Sequence, residues 1–358
     1  MKSPLLFVAV ILFVGWTEAK PAKRSFQQAI HKRPQSVAEI RARMAADRKA
    51  AAIGGSKLNS GSTKFRDYLA QTFQVQLDTA SSNLWVVDAS CNSDNCNGET
   101  NWQLGYYAKN NRSTTFKKNG KSFDLWNPMG RVKGVLGADL ADGLTVKNQV
   151  FALGTEIGDP FGEFPLDGVL GLGWPRWPST SQPDSIGGTG GLITYGALDS
   201  TNCDDPLVYT PITKEGYWQF DIDGFSVGNL STSSKKAAIS DTGTAYILAP
   251  HDDFQMIINQ TNAFYEFLND MYVVPCSKRD SYPDLVFTVG GHQLAVPASE
   301  YTFVIDAQYD NCGLAIDWNI DENNFSWLLG DVFSRTFCTI YNVGGESIGF
   351  AKARHATA

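Results

Sequence analysis

Asp78-Thr79-Ala80-Ser81-Ser82 and Asp241-Thr242-Gly243-Thr244-Ala245 are two versions of one short motif, set in the two halves of a 358-residue chain. Each follows an extended, partly apolar run: Phe73-Gln74-Val75-Gln76-Leu77 before Asp78, and Ala237-Ala238-Ile239-Ser240 before Asp241. Both carboxylates are therefore expected at the ends of strands. The repeat extends further. Val169-Leu170-Gly171 places its glycine 93 positions after Asp78, and Leu328-Leu329-Gly330 places its own 89 positions after Asp241. Two related lobes are implied, each offering one Asp. A chain built that way can bring two carboxyls together at the lobe interface, and a pair that shares one proton is an acid/base device for activating water.

Around these motifs the chain reads as short strands. Residues 145–153, 191–195, 217–225, 284–289, 303–305 and 339–343 are β-rich runs separated by Gly, Asn, Asp and Pro, the pattern of all-β lobes. One helix is expected, opened by Pro250 and carrying Phe254, Ile257 and Ile258 on an apolar face through Asn259. Residues 178–191, rich in Ser, Thr, Pro and Gly, read as the linker. The expected organisation is 1–19 signal peptide, 20–53 basic segment, 54–180 N-terminal β lobe and 181–358 C-terminal β lobe.

The signal peptide follows from Met1-Lys2, ten apolar residues from Leu5 to Val14, and the small Ala19 at a cleavage site. Ten apolar residues are too few to cross a bilayer, which takes roughly 20. No later run is long enough, so no membrane attachment is expected once the signal is removed. Residues 1–53 hold ten Lys+Arg against three Asp+Glu, a net of +7, which leaves −14 of the whole-chain −7 for the body. A basic arm of this kind can be a nucleic-acid tail, but a secreted acidic body makes nucleic acid an unsuitable partner. The six cysteines, Cys91, Cys96, Cys203, Cys276, Cys312 and Cys338, read as disulfides with fifteen connectivities open. A metal site fails on inventory, because no histidine stands at ligand spacing with a Cys pair; neither metal nor cofactor is expected. Asn111, Asn229, Asn259 and Asn324 head Asn-x-Ser/Thr sequons and fit the same compartment.

Five motifs in order resemble the pepsin, cathepsin D and renin family of aspartic proteases. They are residues 78–86 (DTASSNLWV), 167–173 (DGVLGLG), 217–220 (YWQF), 240–244 (SDTGT) and 327–333 (WLLGDVF). The resemblance runs from about Phe73 to Lys352. It implies a mostly β, bilobal pepsin-like acid protease fold with the active-site cleft between the lobes and Asp78 and Asp241 as the dyad. It further implies that Thr79 and Thr242 brace the dyad from below, that Ser82 and Thr244 orient the carboxylates, and that Trp85 and Gly243 support the site. The basic segment becomes a prosegment across the cleft, with residues 37–52 as a helix. Nearness in sequence pairs Cys91 with Cys96, the resemblance implies Cys276 with Cys312, and Cys203 is left for Cys338. Each bridge is worth roughly 2–4 kcal/mol in the chain-entropy view.

Departures from the family pattern are as informative. Ala80 stands where the family has Gly, a residue often required by positive φ or close backbone approach. Aligned on the family's flap hairpin, residues 123–137 put Asn127 in place of a tyrosine and Pro128-Met129 at the tip, with Gly130 also in the flap. The chain also lacks the family's strand and Gly-Thr-Pro turn between Phe65 and Phe73, and a helix and long strand after Gly173. A deleted strand orphans its neighbours' backbone groups at roughly 1–3 kcal/mol for each one left buried and unpaired. One competing motif, Gly224-Phe225-Ser226-Val227-Gly228, matches the nucleophile elbow of serine hydrolases, but a polar loop follows it and a hairpin turn is the better reading. The expectation is a monomeric secreted or lysosomal aspartic endopeptidase, made as a zymogen and cutting polypeptides at acid pH. The alternatives are a weak or inactive homologue that binds peptides or a protein partner, and a storage glycoprotein of the same fold.

Overall fold

Short strands and tight turns organise into five sheets in the computed structural model, which describes residues 26–31, 62–66, 72–92, 94–97, 116–127, 130–141, 146–158, 167–173, 190–267, 271–306, 308–319 and 325–354. The expected signal peptide, the helix over 37–52, residues 174–189 of the junction, Asn111 and Asn324 lie outside these residues. The first sheet has nine strands: β1 (Phe26–His31), β2 (Ser62–Arg66), β3 (Thr72–Asp78), β4 (Leu84–Val87), β5 (Lys117–Asn127), β6 (Gly130–Ala141), β7 (Val146–Ile157), β8 (Gly168–Gly171) and β9 (Gly190–Tyr195). Their order is β5-β6-β7-β4-β8-β3-β2-β1-β9.

The second half continues with β10 (Val208–Pro211), β11 (Gln219–Ile222), β12 (Gly224–Val227), β13 (Leu230–Thr232), β14 (Lys236–Ser240), β15 (Ile247–Ala249), β16 (Phe264–Glu266) and β17 (Met271–Pro275). It ends with β18 (Leu285–Val289), β19 (His292–Val296), β20 (Thr302–Asp306), β21 (Asn311–Leu314), β22 (Ile316–Trp318), β23 (Trp327–Leu329), β24 (Phe337–Asn342) and β25 (Ser347–Lys352). The sequence repeat reappears as topology. β3 runs parallel to β8, which is antiparallel to β4, which is parallel to β7. In the same way β14 runs parallel to β23, which is antiparallel to β15, which is parallel to β22. The fold is thus mostly β and bilobal, as the repeat required.

Every strand run read from the sequence has its counterpart: β7, β9, the β11–β12 pair, β18, β20 and β24. The helix spans His251–Thr261, directly after Pro250, with Phe254 and Ile257 fully buried and Ile258 at the margin. A proline at that point loses nothing, because the first helical N–H groups have no intrahelical acceptor. The expected gap before β3 is not an open edge. β2 lies antiparallel to β3 over five residue pairs, Ser62↔Gln76 to Arg66↔Thr72, so the ladder of the Asp78 strand is filled on both sides. Ser-Thr-Lys-Phe-Arg carries little apolar alternation, which is why this strand escapes a periodicity search.

The glycine-serine elbow is settled by geometry. Gly224–Val227 is strand β12, Gly228 turns at φ +57, and β13 returns in register with Val227↔Leu230. That is a two-residue hairpin with Gly-Asn at its centre, a sequence suited to positive φ. Ser226 sits in the ladder and His292 is exposed, so no nucleophile is presented. Three disulfides form, Cys91–Cys96, Cys203–Cys338 and Cys276–Cys312, and all six cysteines are used.

Candidate active site

Asp78 ends β3 and Asp241 follows β14, and the same short turn holds each carboxylate. Ala80 N donates to Asp78 Oδ1 at 2.8 Å, and Gly243 N donates to Asp241 Oδ1 at 2.6 Å. An Asp accepting from the backbone two residues on makes its own turn. Beneath each loop passes the apolar-apolar-Gly triplet. Leu172 N donates to the carbonyl of Asp78, and Asp241 N donates to the carbonyl of Leu329. A Cβ on Gly171 would lie 2.3 Å from Asn83 N, and one on Gly330 would lie 2.2 Å from the Thr244 carbonyl. The glycines of the triplets are therefore there for close backbone approach.

Two threonines tie the lobes together behind the carboxylates. Thr242 N donates to Thr79 Oγ1 at 2.9 Å and Thr79 N to Thr242 Oγ1 at 3.2 Å. Each hydroxyl then crosses to the other lobe: Thr79 Oγ1 donates to the Ser240 carbonyl at 3.0 Å, and Thr242 Oγ1 to the Leu77 carbonyl at 3.2 Å. Both threonines are buried, so these four bonds form away from water, where a hydrogen bond is electrostatically stronger. Trp218, inside the Tyr-Trp-Gln-Phe motif, adds a further link by donating from Nε1 to the Leu172 carbonyl at 3.1 Å.

Held this way, the carboxyls of Asp78 and Asp241 are close enough to interact directly, and two like charges so placed favour a single proton between them. Burial pushes the Asp78 carboxyl above the usual carboxylate range, against the opposing pull of hydrogen bonds from Ser81 and Ala80. Asp241 is fully buried and its Oδ2 accepts from Thr244 Oγ1 at 2.7 Å. The hydroxyl serving Asp78 belongs to Ser81, where the sequence reading assigned that role to Ser82. The repeat itself carries the correction, since Ser81 stands three residues after its Asp, as Thr244 does.

A second polar contact beneath the dyad was not anticipated. Ser240 Oγ lies 2.8 Å from the Tyr341 hydroxyl, and Tyr341 is wholly buried on β24. Burial pushes this phenol up to about 12, so it stays protonated and available as a donor across the working range of any protein. Nothing local in the sequence joins positions 240 and 341; only the folded sheets do.

Ala80 proves compatible with its loop. It is buried, and neither it nor Gly243 has positive φ, so the added methyl meets no backbone penalty. Asn127 and Gly130 are paired as the last residues of the β5–β6 hairpin, whose tip lies outside the described residues. Trp85 is buried in an apolar cluster with Phe123, Val132 and Val169 on the face beneath this hairpin. Asn229 and Asn259 are exposed.

Because Asp78 holds its proton more tightly when folded than when unfolded, the folded chain binds more protons than the unfolded chain above pH ~4. This group therefore lowers stability as pH rises from its unfolded value through its raised folded value. Asp78→Asn removes the titration. The variant is expected to melt higher than the parent at pH 7, with the difference vanishing below about pH 3.5, where both forms are uncharged. Equal melting temperatures across this range by scanning calorimetry would remove Asp78 from the proton-sharing pair.

Two Asp turns of the same form, one from each of two related β lobes and joined by a reciprocal threonine exchange, are the arrangement of an aspartic-type peptidase. The chain matches the family described as eukaryotic aspartyl protease over residues 69–187 and 181–353. It is 37% identical over 350 residues to Aspartic protease 1 of Caenorhabditis elegans, covering 85% of this chain and 88% of that one. Against Pepsin A of Bos taurus it is 30% identical over 308 residues, covering 79% and 81%, and against Vacuolar protease A of Arthroderma otae 29% over 314 residues, covering 79% and 75%. The chain belongs to the eukaryotic aspartyl protease family and is a pepsin-like aspartic endopeptidase, a hydrolase acting on polypeptides.

Proposed function

We propose that Asp78 and Asp241 are the catalytic pair, that the reaction runs at acid pH, and that the protein is made as a secreted zymogen. The observation that carries the first part is the pair of matched Asp turns joined back to back by the reciprocal Thr79–Thr242 exchange. One carboxylate takes a proton from the attacking water while the other gives its proton to the peptide carbonyl oxygen. Losing the shared proton ends this division of labour, so the rate falls as pH rises past the raised pKa of the pair, which titrates as a unit. Residues 26–31 (β1), inside the basic segment, sit in a ladder with β9, which supports a prosegment built into the sheet. The β5–β6 hairpin, with Asn127 and Gly130 next to its tip, serves as the lid.

Secretion rests on the apolar leader, the three disulfides and the exposed sequons Asn229 and Asn259, with an extracellular or lysosomal destination. Among the described residues no helix is long and apolar enough to cross a membrane. The protein acts as a monomer, and unfolded polypeptide is the substrate. Incubating the full chain with denatured globin at pH 3.5 is expected to release peptides, and a statine-type inhibitor to stop it. Cleavage with a maximum at pH 8, indifferent to that inhibitor, would contradict the assignment.

A further inference from the structure

Tyr341 sets one hydroxyl against both loops of the dyad. Its oxygen lies 2.8 Å from Oγ of Ser240, the residue before Asp241, and it also interacts with the hydroxyl of Thr79, the residue after Asp78. Two chain neighbours of the aspartates, one from each lobe, thus meet at a single phenol. The Tyr341 ring rests on Trp218 with centroids 4.7 Å apart, and Trp218 is the side chain that donates to the Leu172 carbonyl in the other lobe. Tyr341 is wholly buried in the main core, so its influence on the site runs through these neighbours.

The fold does not require this polarity. In the internal repeat the place of Ser240 is taken by Leu77, buried and apolar, although the backbone does the same work: the Leu77 carbonyl accepts from Thr242 Oγ1 as the Ser240 carbonyl accepts from Thr79 Oγ1. A buried hydroxyl pair adds little to stability, since replacing both partners by apolar groups of the same shape is nearly neutral. What it adds is direction. Ser240 is held at its N–H by the Trp218 carbonyl at 3.1 Å and at its own carbonyl by Thr79, and the bond to the phenol holds its side chain as well. An apolar contact would fill the space but would not fix the distance and angle from which the Asp241 turn starts.

We infer that Tyr341, through Ser240 and Thr79, is a positioning residue that sets the spacing of the Asp78 and Asp241 carboxyls and so the pH range over which they share a proton. This rests on the proposed catalytic pair. Asp241 is the charged group that faces the phenol; from the other elements packed against it come Trp218, Thr79, Thr339 and Ile348, none of which titrates. The phenol itself stays protonated, so a changed pH profile on removing its hydroxyl reports the aspartates. The second proton leaves such a pair late because its loss puts two like charges side by side. Moving the charges from about 3 to about 4 Å apart, at an effective dielectric constant near 20, weakens that repulsion by about one pH unit. The shared proton is then lost at lower pH.

The test compares acid-treated full chain with its Tyr341→Phe, Ser240→Ala and double variants, measuring kcat and KM on denatured globin against pH and, by calorimetry, the binding of a statine-type inhibitor against pH. Tyr341→Phe keeps the ring on Trp218 and loses the hydroxyl alone. Its kcat should fall about tenfold or more with KM unchanged, and the alkaline limb of both profiles should move about one pH unit lower. Ser240→Ala should move that limb in the same direction, and the double variant no further than Tyr341→Phe, because the two hydroxyls act through one bond. If Tyr341→Phe does not fold, Ser240→Ala carries the same readings. The inference is overturned if the variants keep the parent's limb, if kcat stays within twofold of the parent, or if the losses add in the double variant. Inhibitor binding separates the two claims. A parent that binds the inhibitor at acid pH but cuts nothing refutes the catalytic reading alone, and the limb of its binding profile then decides this inference. Cleavage with a profile indifferent to Tyr341 refutes this inference alone, and a parent that neither binds nor cuts refutes both.

Discussion

Asp241→Asn is expected to lower kcat/KM on an unfolded protein substrate by roughly a thousandfold or more while leaving the protein folded. The amide keeps the shape of the carboxyl, so its Oδ1 still accepts from Gly243 N, and Thr244 Oγ1 can turn to accept where it now donates. What is lost is the ability to take or give a proton. General acid–base participation by a placed side chain is worth about 10²–10⁴ in rate, and the two members of a proton-sharing pair act as a unit, so removing one removes most of the effect. The Thr79–Thr242 exchange does not involve the carboxylates, and circular dichroism should be unchanged. The residual activity should also lose its acid-side pH dependence. A variant retaining a tenth of the parent rate would leave water activation without its base.

The second large effect concerns stability, and it lies on the strand that ends at the dyad. Lys236 opens β14, and its Nζ lies 2.6 Å from Asp253 Oδ2 in the first turn of the helix His251–Thr261. The Asp253 side chain is 1% exposed and that of Lys236 20%. Removing the cation of such a pair leaves the buried carboxylate without its counter-charge, a loss of about 3–5 kcal/mol. Lys236→Met is therefore expected to lower the melting temperature by roughly 10 °C, taking about 2–4 °C per kcal/mol for a lobe of this size. The double variant Lys236→Met/Asp253→Leu should recover most of that loss, because an apolar pair of similar volume replaces an ion pair at little net cost. A single variant within 1 °C of the parent would show that the pair is stabilised by solvent rather than by burial.

Much of the architecture is legible in the sequence because the chain says it twice. The Asp-Thr motifs and the apolar-apolar-Gly triplets recur at nearly equal spacing, and the four-strand pattern β7-β4-β8-β3 recurs as β22-β15-β23-β14. Strands with a strong apolar component, such as Leu285–Val289, were found for the same reason that they fold: one face is buried. What escaped was either compositionally quiet or set by distant packing. Ser62–Arg66 is largely polar and Phe26–His31 lacks a regular apolar alternation, so both owe their form to the strands they pair with. Ser240 with Tyr341 and Lys236 with Asp253 become partners only when sheets and helix meet. Ser81 was within reach, since the offset of three from each Asp is in the sequence. The concern over Ala80 came from treating a family glycine as a conformational requirement, and the φ at that position removes it.

The pairing of β1 with β9 has a temporal side. The six residues Phe26–His31 are made early, and their ladder partner Gly190–Tyr195 follows about 160 residues later. At synthesis rates of about 5–20 residues per second, that delay is roughly 8–30 seconds. Throughout it a nascent strand has backbone donors and acceptors but no neighbour on the β9 side, the condition under which chains pair with one another instead. Only Phe26, Ala29 and Ile30 of its six residues are apolar, and the pair Gln27-Gln28 between Phe26 and Ala29 keeps them from forming a continuous apolar run. A segment that must wait for its place is better made of residues content in water.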